Sequence, residues 1–383
     1  MKRILFASWY TGLGGGETDL LTLAGSLDAG DYECHLLLPR DGQLSEIWRE
    51  RVGPVHIIPF RGATTFFVPP LWARFPVVKR FAKLLQRERI DLAHSDYHSL
   101  PMIAPAARIA GLPLIFTLWG WWFKPKPWQR NFFRDIPKTV ARSMAIRGGY
   151  LGEPPFMPRE NLPVVYPGID TERFHPDLDG NRLRDELDIP RDAPLVAMVA
   201  RFQRVKGHHA FQSVAEAIAR QEPAARFIVA GDNVFGVAAD ERYRDQMLQA
   251  AKRNNILCDR LQYIGFRDDV ENVYAAADVV VCASEFESLG KANLEAMACG
   301  APIVSTNRGG PAETVRQGET GFLIDPGDIV GFSQAAMRLL GDDRLRENMG
   351  RAGRAQVCAR FSIEAATEAY GRIFEDLLRL NSR

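Results

Sequence analysis

Short, unbroken apolar runs recur along the chain, separated by stretches whose apolar residues return every three or four positions. In the first half the runs are ILFAS (4–8), CHLLL (34–38), VHIIP (55–59), DLAHS (91–95), LIFTLW (114–119) and VVYP (164–167). In the second half they are LVAMVA (195–200), RFIVAG (226–231), LQYIGF (261–266), VVVCAS (279–284), PIVST (302–306) and GFLID (321–325). Continuous rather than alternating apolarity suits parallel strands buried on both faces. The spacers have the length and period of helices. The chain therefore predicts an α/β protein built from two doubly wound, βα-repeating sheets. The seam falls in GIDTERFHPDLDGN (168–181), which is polar and rich in turn residues. A last amphipathic helix is expected over 363–380, with Ile363, Ala366, Tyr370, Ile373, Phe374 and Leu377 on one face.

Length agrees with this division, since 383 residues exceed one ordinary α/β core and suit two domains. The net charge of +1 implies no bulk attraction to nucleic acid or membrane. It hides an asymmetry. Residues 1–170 hold 21 Lys+Arg against 15 Asp+Glu, leaving 27 against 32 in the remainder, and all seven tryptophans lie in the first half. The two halves are expected to face different partners. The five cysteines (34, 258, 282, 299, 358) form no CxxC pair. They read as reduced thiols in an intracellular chain, with neither a disulfide framework nor a zinc site. The N-terminus MKRILFASWYTGLGGGE reads as a first strand and a glycine loop rather than a signal peptide. No apolar stretch approaches a membrane span.

Candidate chemistry concentrates at SEFESLGKANLEAMACG, 284–300. A strand ends there and a helix is expected to open near Gly290. Helix starts after strand ends are ligand positions in such sheets, and their N–H groups and dipole favour an anion. Glu287 lies ahead of that start and Glu295 inside it, so an anion site is flanked by two carboxylates. Hydroxyls, diphosphate, hydroxyls is the matching ligand: a nucleotide sugar. Carboxylates hold hydroxyls by strong charge-assisted bonds. A glycosidase pair is the rival reading, but eight residues of helix span about 12 Å, beyond the roughly 5–9.5 Å such pairs use. Two surface glutamates at a helix start remain the plain alternative.

Other strand ends add to this rim. VARFQRVKGHH (199–209) places Arg201 and Lys206 around a turn before a helix at Gly207, suited to a leaving diphosphate. GDN (231–233), GFRDD (265–269, with Gly265 and Phe266) and NRGGPAETV (307–315) follow strands too. In the first half, TGLGGGETDL (11–20) is nearly a GxGxxG, but Glu17 stands at the third glycine, against a nicotinamide site. Gly15 and Gly16 then either let backbone approach a ligand or start a helix. WGWWFKPKPWQRNFFR (119–134) and LWARFPVVKRFAKLLQRER (71–89) interleave aromatics with cations. They are expected to stack on sugars, to meet lipid headgroups, or to cap the sheet.

These residues together resemble the retaining, nucleotide-sugar-dependent glycosyltransferases of family four. SEFESLGKANLEAMACGAPIV is similar to that family's E-x7-E signature, and VARFQRVKG to its Arg and Lys donor-phosphate motif. YPGIDTERFHP resembles its linker, with Pro167 where Asn is usual, while TGLGGGE and GGPAETVRQGETGFLIDPGD match flanking segments. The resemblance implies the GT-B fold, two Rossmann-like domains facing across a cleft. It divides the chain into an acceptor-side domain 1–168, a donor-binding domain 169–362 and a C-terminal helix 363–383 crossing back to the first. It implies sugar transfer with retained configuration, needing no metal or other cofactor, from a UDP- or GDP-linked donor. Arg201 and Lys206 would bind the diphosphate, Glu287 the donor sugar and Glu295 the ribose. Gly15, Gly16, Gly265, Phe266, Ser288, Leu289, Gly290 and Lys291 would complete the donor site. The acceptor would be a glycan or glycolipid of cell-surface polysaccharide synthesis, met in the cytoplasm or at the inner face of the membrane through 71–89 and 119–134. The chain departs at TLWG, where Trp119 stands for the family's usual histidine. Tryptophan cannot accept a proton, so a donor-binding protein with weakened catalysis is the alternative. His94, His98 and Trp121 join Trp119 as acceptor-side candidates. A nucleotide-sugar epimerase shares the fold and is a third reading. DLD (177–179) is similar to a metal-binding DxD, but in a polar linker it reads as turn chemistry.

Overall fold

The computed structural model describes residues 1–63, 68, 75–120, 123–233 and 237–381. It divides the chain into two compact units, Met1–Gly168 with Ile363–Arg383, and Ile169–Ser362.

The first unit holds strands β1 (Lys2–Ala7), β2 (Tyr32–Leu38), β3 (Val55–Ile57), β4 (Leu92–Ser95), β5 (Leu114–Leu118) and β6 (Lys138–Ala141). They pair in parallel in the order β3-β2-β1-β4-β5-β6. Continuous apolarity has a direct cause here, because successive side chains feed two different cores. Ile4 and Phe6 pack with Leu36, Leu38 and Trp48, and with Tyr370, Phe374 and Leu377 of the last helix, Ile363–Asn381. Leu5 and Ala7 face the opposite way, toward Phe81, Leu85, Ile103 and Phe116. Each Leu, Ile or Phe side chain among them, fully withdrawn from water, contributes about 1.5–3 kcal/mol. The last helix is fixed further by Tyr370, whose hydroxyl lies 3.1 Å from Thr117 Oγ1.

One expected strand is corrected. VVYP supplies only a single bridge, Val164 to Ala141. The sixth position belongs to β6, whose KTVA is short and begins on a lysine. Its Thr139, Val140 and Ala141 are nonetheless buried. The glycine run is also settled locally. Helix Gly15–Ser26 starts there, and Glu17 Oε2 accepts from the Gly14 N–H at 3.1 Å. None of Gly12, Gly14, Gly15 or Gly16 takes a left-handed conformation. Glu17 is the cap of that helix, which is why a third glycine is not needed.

The second unit holds β7 (Leu195–Val199), β8 (Arg226–Ala230), β9 (Leu261–Gly265), β10 (Val279–Cys282), β11 (Ile303–Thr306) and β12 (Phe322–Ile324). These pair in parallel in the order β12-β11-β10-β7-β8-β9. Both sheets thus follow one topology, with the strand order reversing between two central strands: β1 and β4 in the first unit, β7 and β10 in the second. In open α/β sheets a ligand crevice forms at that reversal, beyond the carboxyl ends of the strands. DLD (177–179) lies in turns, where Asp179 Oδ1 accepts from the Asn181 N–H at 3.0 Å. Among the described residues no helix is long and apolar enough to cross a membrane.

Candidate active site

The second unit brings Arg201, Lys206, Glu287, Gly290 and Glu295 to the carboxyl ends of β7 and β10, the point where strand order reverses. Backbone constraints explain how. After β7 the chain makes a tight turn, Arg204–Lys206, and enters helix His208–Gln221 through Gly207 at φ +74. A Cβ at Gly207 would lie 2.0 Å from the Ala283 carbonyl oxygen. Only glycine lets this turn lie against the end of β10. The Glu285 N–H then donates to the Val205 carbonyl at 2.8 Å.

That contact decides the geometry of the two charges. Lys206 Nζ lies 2.8 Å from both carboxylate oxygens of Glu287, and the Ser284 hydroxyl donates to Oε1 at 2.7 Å. Glu287 is only 8% exposed. Nearby Cys282 is held as a neutral thiol, because burial, and then the Glu287 charge, push it up to about 11. The Glu287 backbone is clasped from the other side. Its carbonyl accepts from the Gly310 N–H at 2.9 Å, and a Cβ at Gly309 would strike that oxygen at 1.9 Å. NRGGP therefore serves as backbone packing beneath the glutamate. Ser288 and Leu289 continue from there to Gly290, which caps helix Lys291–Ala298 in a left-handed conformation, φ +82.

Glu295 lies in the second turn of that helix, its side chain 15% exposed. The hydroxyl of Tyr274 donates to its Oε2 at 2.9 Å, and Lys291 Nζ stands 3.9 Å from Oε1. Tyr274 is buried, and its hydroxyl is held well above its ordinary pKa by desolvation and by the Glu295 charge. The phenol is a permanent donor that aims the carboxylate. Gly231 and Gly265 complete the rim. The Gly231 N–H donates to the Gly265 carbonyl at 2.7 Å, and both glycines have positive φ. Phe266 beyond them is 64% exposed. Glu285 is exposed.

The first-unit candidates separate into distinct environments. Trp119 packs beside Gly16, and the Arg142 guanidinium lies 5.0 Å from its ring centre. Arg142 in turn donates to Asp19 at 3.1 Å in a nearly dry pair. His94 is fully enclosed, with Nε2 2.8 Å from Thr117 Oγ1, and desolvation pushes its pKa down to about 3. It belongs to the core. His98 donates from Nδ1 to the Ala63 carbonyl at 2.7 Å, which leaves Nε2 to accept from the Tyr10 hydroxyl at 3.2 Å. Trp9, Tyr10 and His98 form a ring cluster at the ends of β1 and β4. Trp121 and residues 71–74 lie outside the described residues. In the basic stretch, helix Pro76–Arg87 buries Val78, Phe81, Leu84 and Leu85, and exposes Lys79, Arg80, Lys83 and Arg87. In the aromatic stretch, Phe123 and Phe133 are core and Trp128 is half exposed.

Pattern reading missed Ser284 and Tyr274. Ser284 had a faint signal, being three residues before Glu287 at a strand end. Tyr274 had none, since its link to Glu295 comes from the packing of two helices.

Comparison with known proteins bears on the family and the fold. The model of the family "Glycosyl transferases group 1" matches residues 179–356, and that of "Glycosyltransferase Family 4" matches residues 13–173. The chain is 29% identical over 397 residues to the N-acetyl-alpha-D-glucosaminyl L-malate synthase of Bacillus anthracis, covering 99% of this chain and 98% of that protein. It is 36% identical over 187 residues to the lipopolysaccharide core biosynthesis glycosyltransferase LpsE of Rhizobium meliloti, covering 49% of this chain and about half, 51%, of that protein. Among solved structures, a glycosyltransferase from Rickettsia africae superposes with a TM-score of 0.85 at 19% identity over 98% of both chains. HepE of Anabaena, solved in complex with UDP, superposes with a TM-score of 0.82 at 22% identity over 98% of this chain and 100% of that one. These likenesses are of fold, GT-B.

Proposed function

The chain belongs to the family-four glycosyltransferases of group 1, and from that premise we propose that it moves a hexosyl group from a nucleotide sugar to a glycan or lipid-linked acceptor with retained configuration. One observation carries the assignment: Lys206 and Glu287, on separate strand ends, meet as a bidentate pair at the strand-order reversal. Lys206, with Arg201, takes the donor diphosphate. Glu287, released from Lys206, accepts hydroxyls of the donor sugar. Glu295, aimed by Tyr274, accepts those of the ribose. The glycosidic carbon–oxygen bond to phosphate breaks as the acceptor oxygen bonds to the same face of that carbon. The acceptor's proton passes to the leaving phosphate oxygen, so no side-chain base is needed and Trp119 is compatible with turnover. UDP is the favoured leaving group, supported by the UDP-bound neighbour. A cell-surface glycan as product is supported by the name of LpsE.

The test is a thermal-shift panel of UDP, GDP, ADP and TDP, followed by release of the selected diphosphate from its sugar. Release that persists in Glu287→Ala rejects the role of Glu287. The place of Trp119 sustains a second reading, donor binding with weakened catalysis. Trp119→His separates the two: it lowers transfer in an adapted site, and raises it where catalysis was lost with the histidine. The exposed cations of Pro76–Arg87 support a peripheral lipid contact, which Lys79→Glu/Lys83→Glu would abolish in sedimentation with anionic vesicles.

A further inference from the structure

His35, His56 and Glu88 converge at the edge of the first sheet. Their ligand atoms, one from each side chain, lie within 4.8 Å of one another. His35 is on β2 and 3% exposed, His56 is on the edge strand β3, and Glu88 follows helix Pro76–Arg87. His35 Nδ1 faces His56 Nε2 at 3.0 Å, with the two rings 9° from parallel. We propose that these three side chains form a divalent transition-metal site of the zinc type, which pins the edge strand to its neighbour and to the end of the helix.

The donor set is right for such an ion. Two imidazoles and one carboxylate are a recurrent zinc triad, with the fourth place left to water. Metal–nitrogen bonds of 2.0–2.1 Å in a tetrahedron hold two nitrogens about 3.3 Å apart. Replacing the proton between the imidazoles thus asks for an opening of a few tenths of an ångström and a tilt of the rings. The partly buried edge residue His56 can supply both.

The outer shell is also built. Glu33 Oε1 lies 3.4 Å from His35 Nε2, the nitrogen opposite the proposed metal face. At 3.4 Å this is short of a hydrogen bond; drawn closer, such a carboxylate fixes the tautomer that leaves Nδ1 free to ligate. Arg3 holds that carboxylate at 2.8 Å through Nε and accepts a second duty through Nη1, which donates to the Glu88 carbonyl at 3.0 Å. One arginine therefore ties the orienting carboxylate to the backbone of the third ligand. Glu88 is paired with Arg87, which is 70% exposed. Such pairs are weak, and Glu88 can leave it for a metal. His56 also borders an open pocket of about 640 Å³.

The experiment is calorimetric titration of the chelator-treated full chain with Zn²⁺, paired with hydrogen exchange. One ion per chain with micromolar or tighter affinity is expected, with slower exchange in 55–58. His56→Ala and Glu88→Gln, both at the surface, each weaken binding at least tenfold. Glu33→Gln weakens it roughly 10–100-fold through orientation alone. Absence of stoichiometric binding, or equal affinity in His56→Ala and the parent, overturns the proposal.

Discussion

Replacing Glu287 by glutamine separates holding the donor from reacting it. Both carboxylate oxygens stand 2.8 Å from Lys206 Nζ, and Oε1 accepts from Ser284 at 2.7 Å. Glutamine keeps the shape and an acceptor for Ser284, and loses the charge. The pair retains side-chain exposures of 21% and 11%, so water screens part of it. Its net worth is about 1 kcal/mol, below the roughly 3–5 kcal/mol that breaking a dry pair costs. A diphosphate must overcome that amount to capture Lys206. Glu287→Gln therefore tightens nucleoside diphosphate binding roughly fivefold, at 1.4 kcal/mol per decade. Turnover moves the other way. Loss of a preorganised charged group at the reacting sugar lowers kcat by about 100-fold or more. Calorimetric Kd for the diphosphate and steady-state release from its sugar, measured side by side, read both. Unchanged or weaker diphosphate binding would refute the competition for Lys206. Turnover within about threefold of the parent would refute the place of Glu287 at the sugar.

Tyr274→Phe keeps the buried ring and removes the donor to Glu295. We expect roughly three- to tenfold weaker nucleotide binding, and a smaller preference for the ribonucleotide over its 2′-deoxy analogue. Gly207→Ala puts a Cβ against the Ala283 carbonyl at positive φ, and should cost more than about 2 kcal/mol in a denaturant titration. His94, with a folded pKa of about 3, carries a sign for acid stability. Its folded value is depressed, so below the unfolded value near 6.5 the unfolded chain binds the extra proton. Stability then falls by about 1.4 kcal/mol per pH unit on acidification through that window. His94→Gln should flatten the loss between pH 6 and 4, and an unchanged pH profile would contradict the burial of a neutral imidazole.

Much of this molecule was legible along the chain. Continuous apolar runs are what parallel strands covered on both faces require, so eleven of the twelve strands among the described residues announced themselves. The turn at Gly290 and the glutamates around it were equally plain, because a strand end, a glycine and a helix start are local chemistry. β6 was not legible, since KTVA is too short and too polar to stand out, and its burial comes from neighbours. Spacing also could not say that the tight turn before Gly207 would lie on β10, and so could not pair Lys206 with Glu287. The same holds for Tyr274 with Glu295, and for His35 with His56, 21 residues apart with no local motif between them. Sequence determines which residues sit at strand ends, because periodicity and turn preference act over a few residues. Which of those ends meet is decided by strand order and helix packing, which act over distances along the chain that no local pattern records.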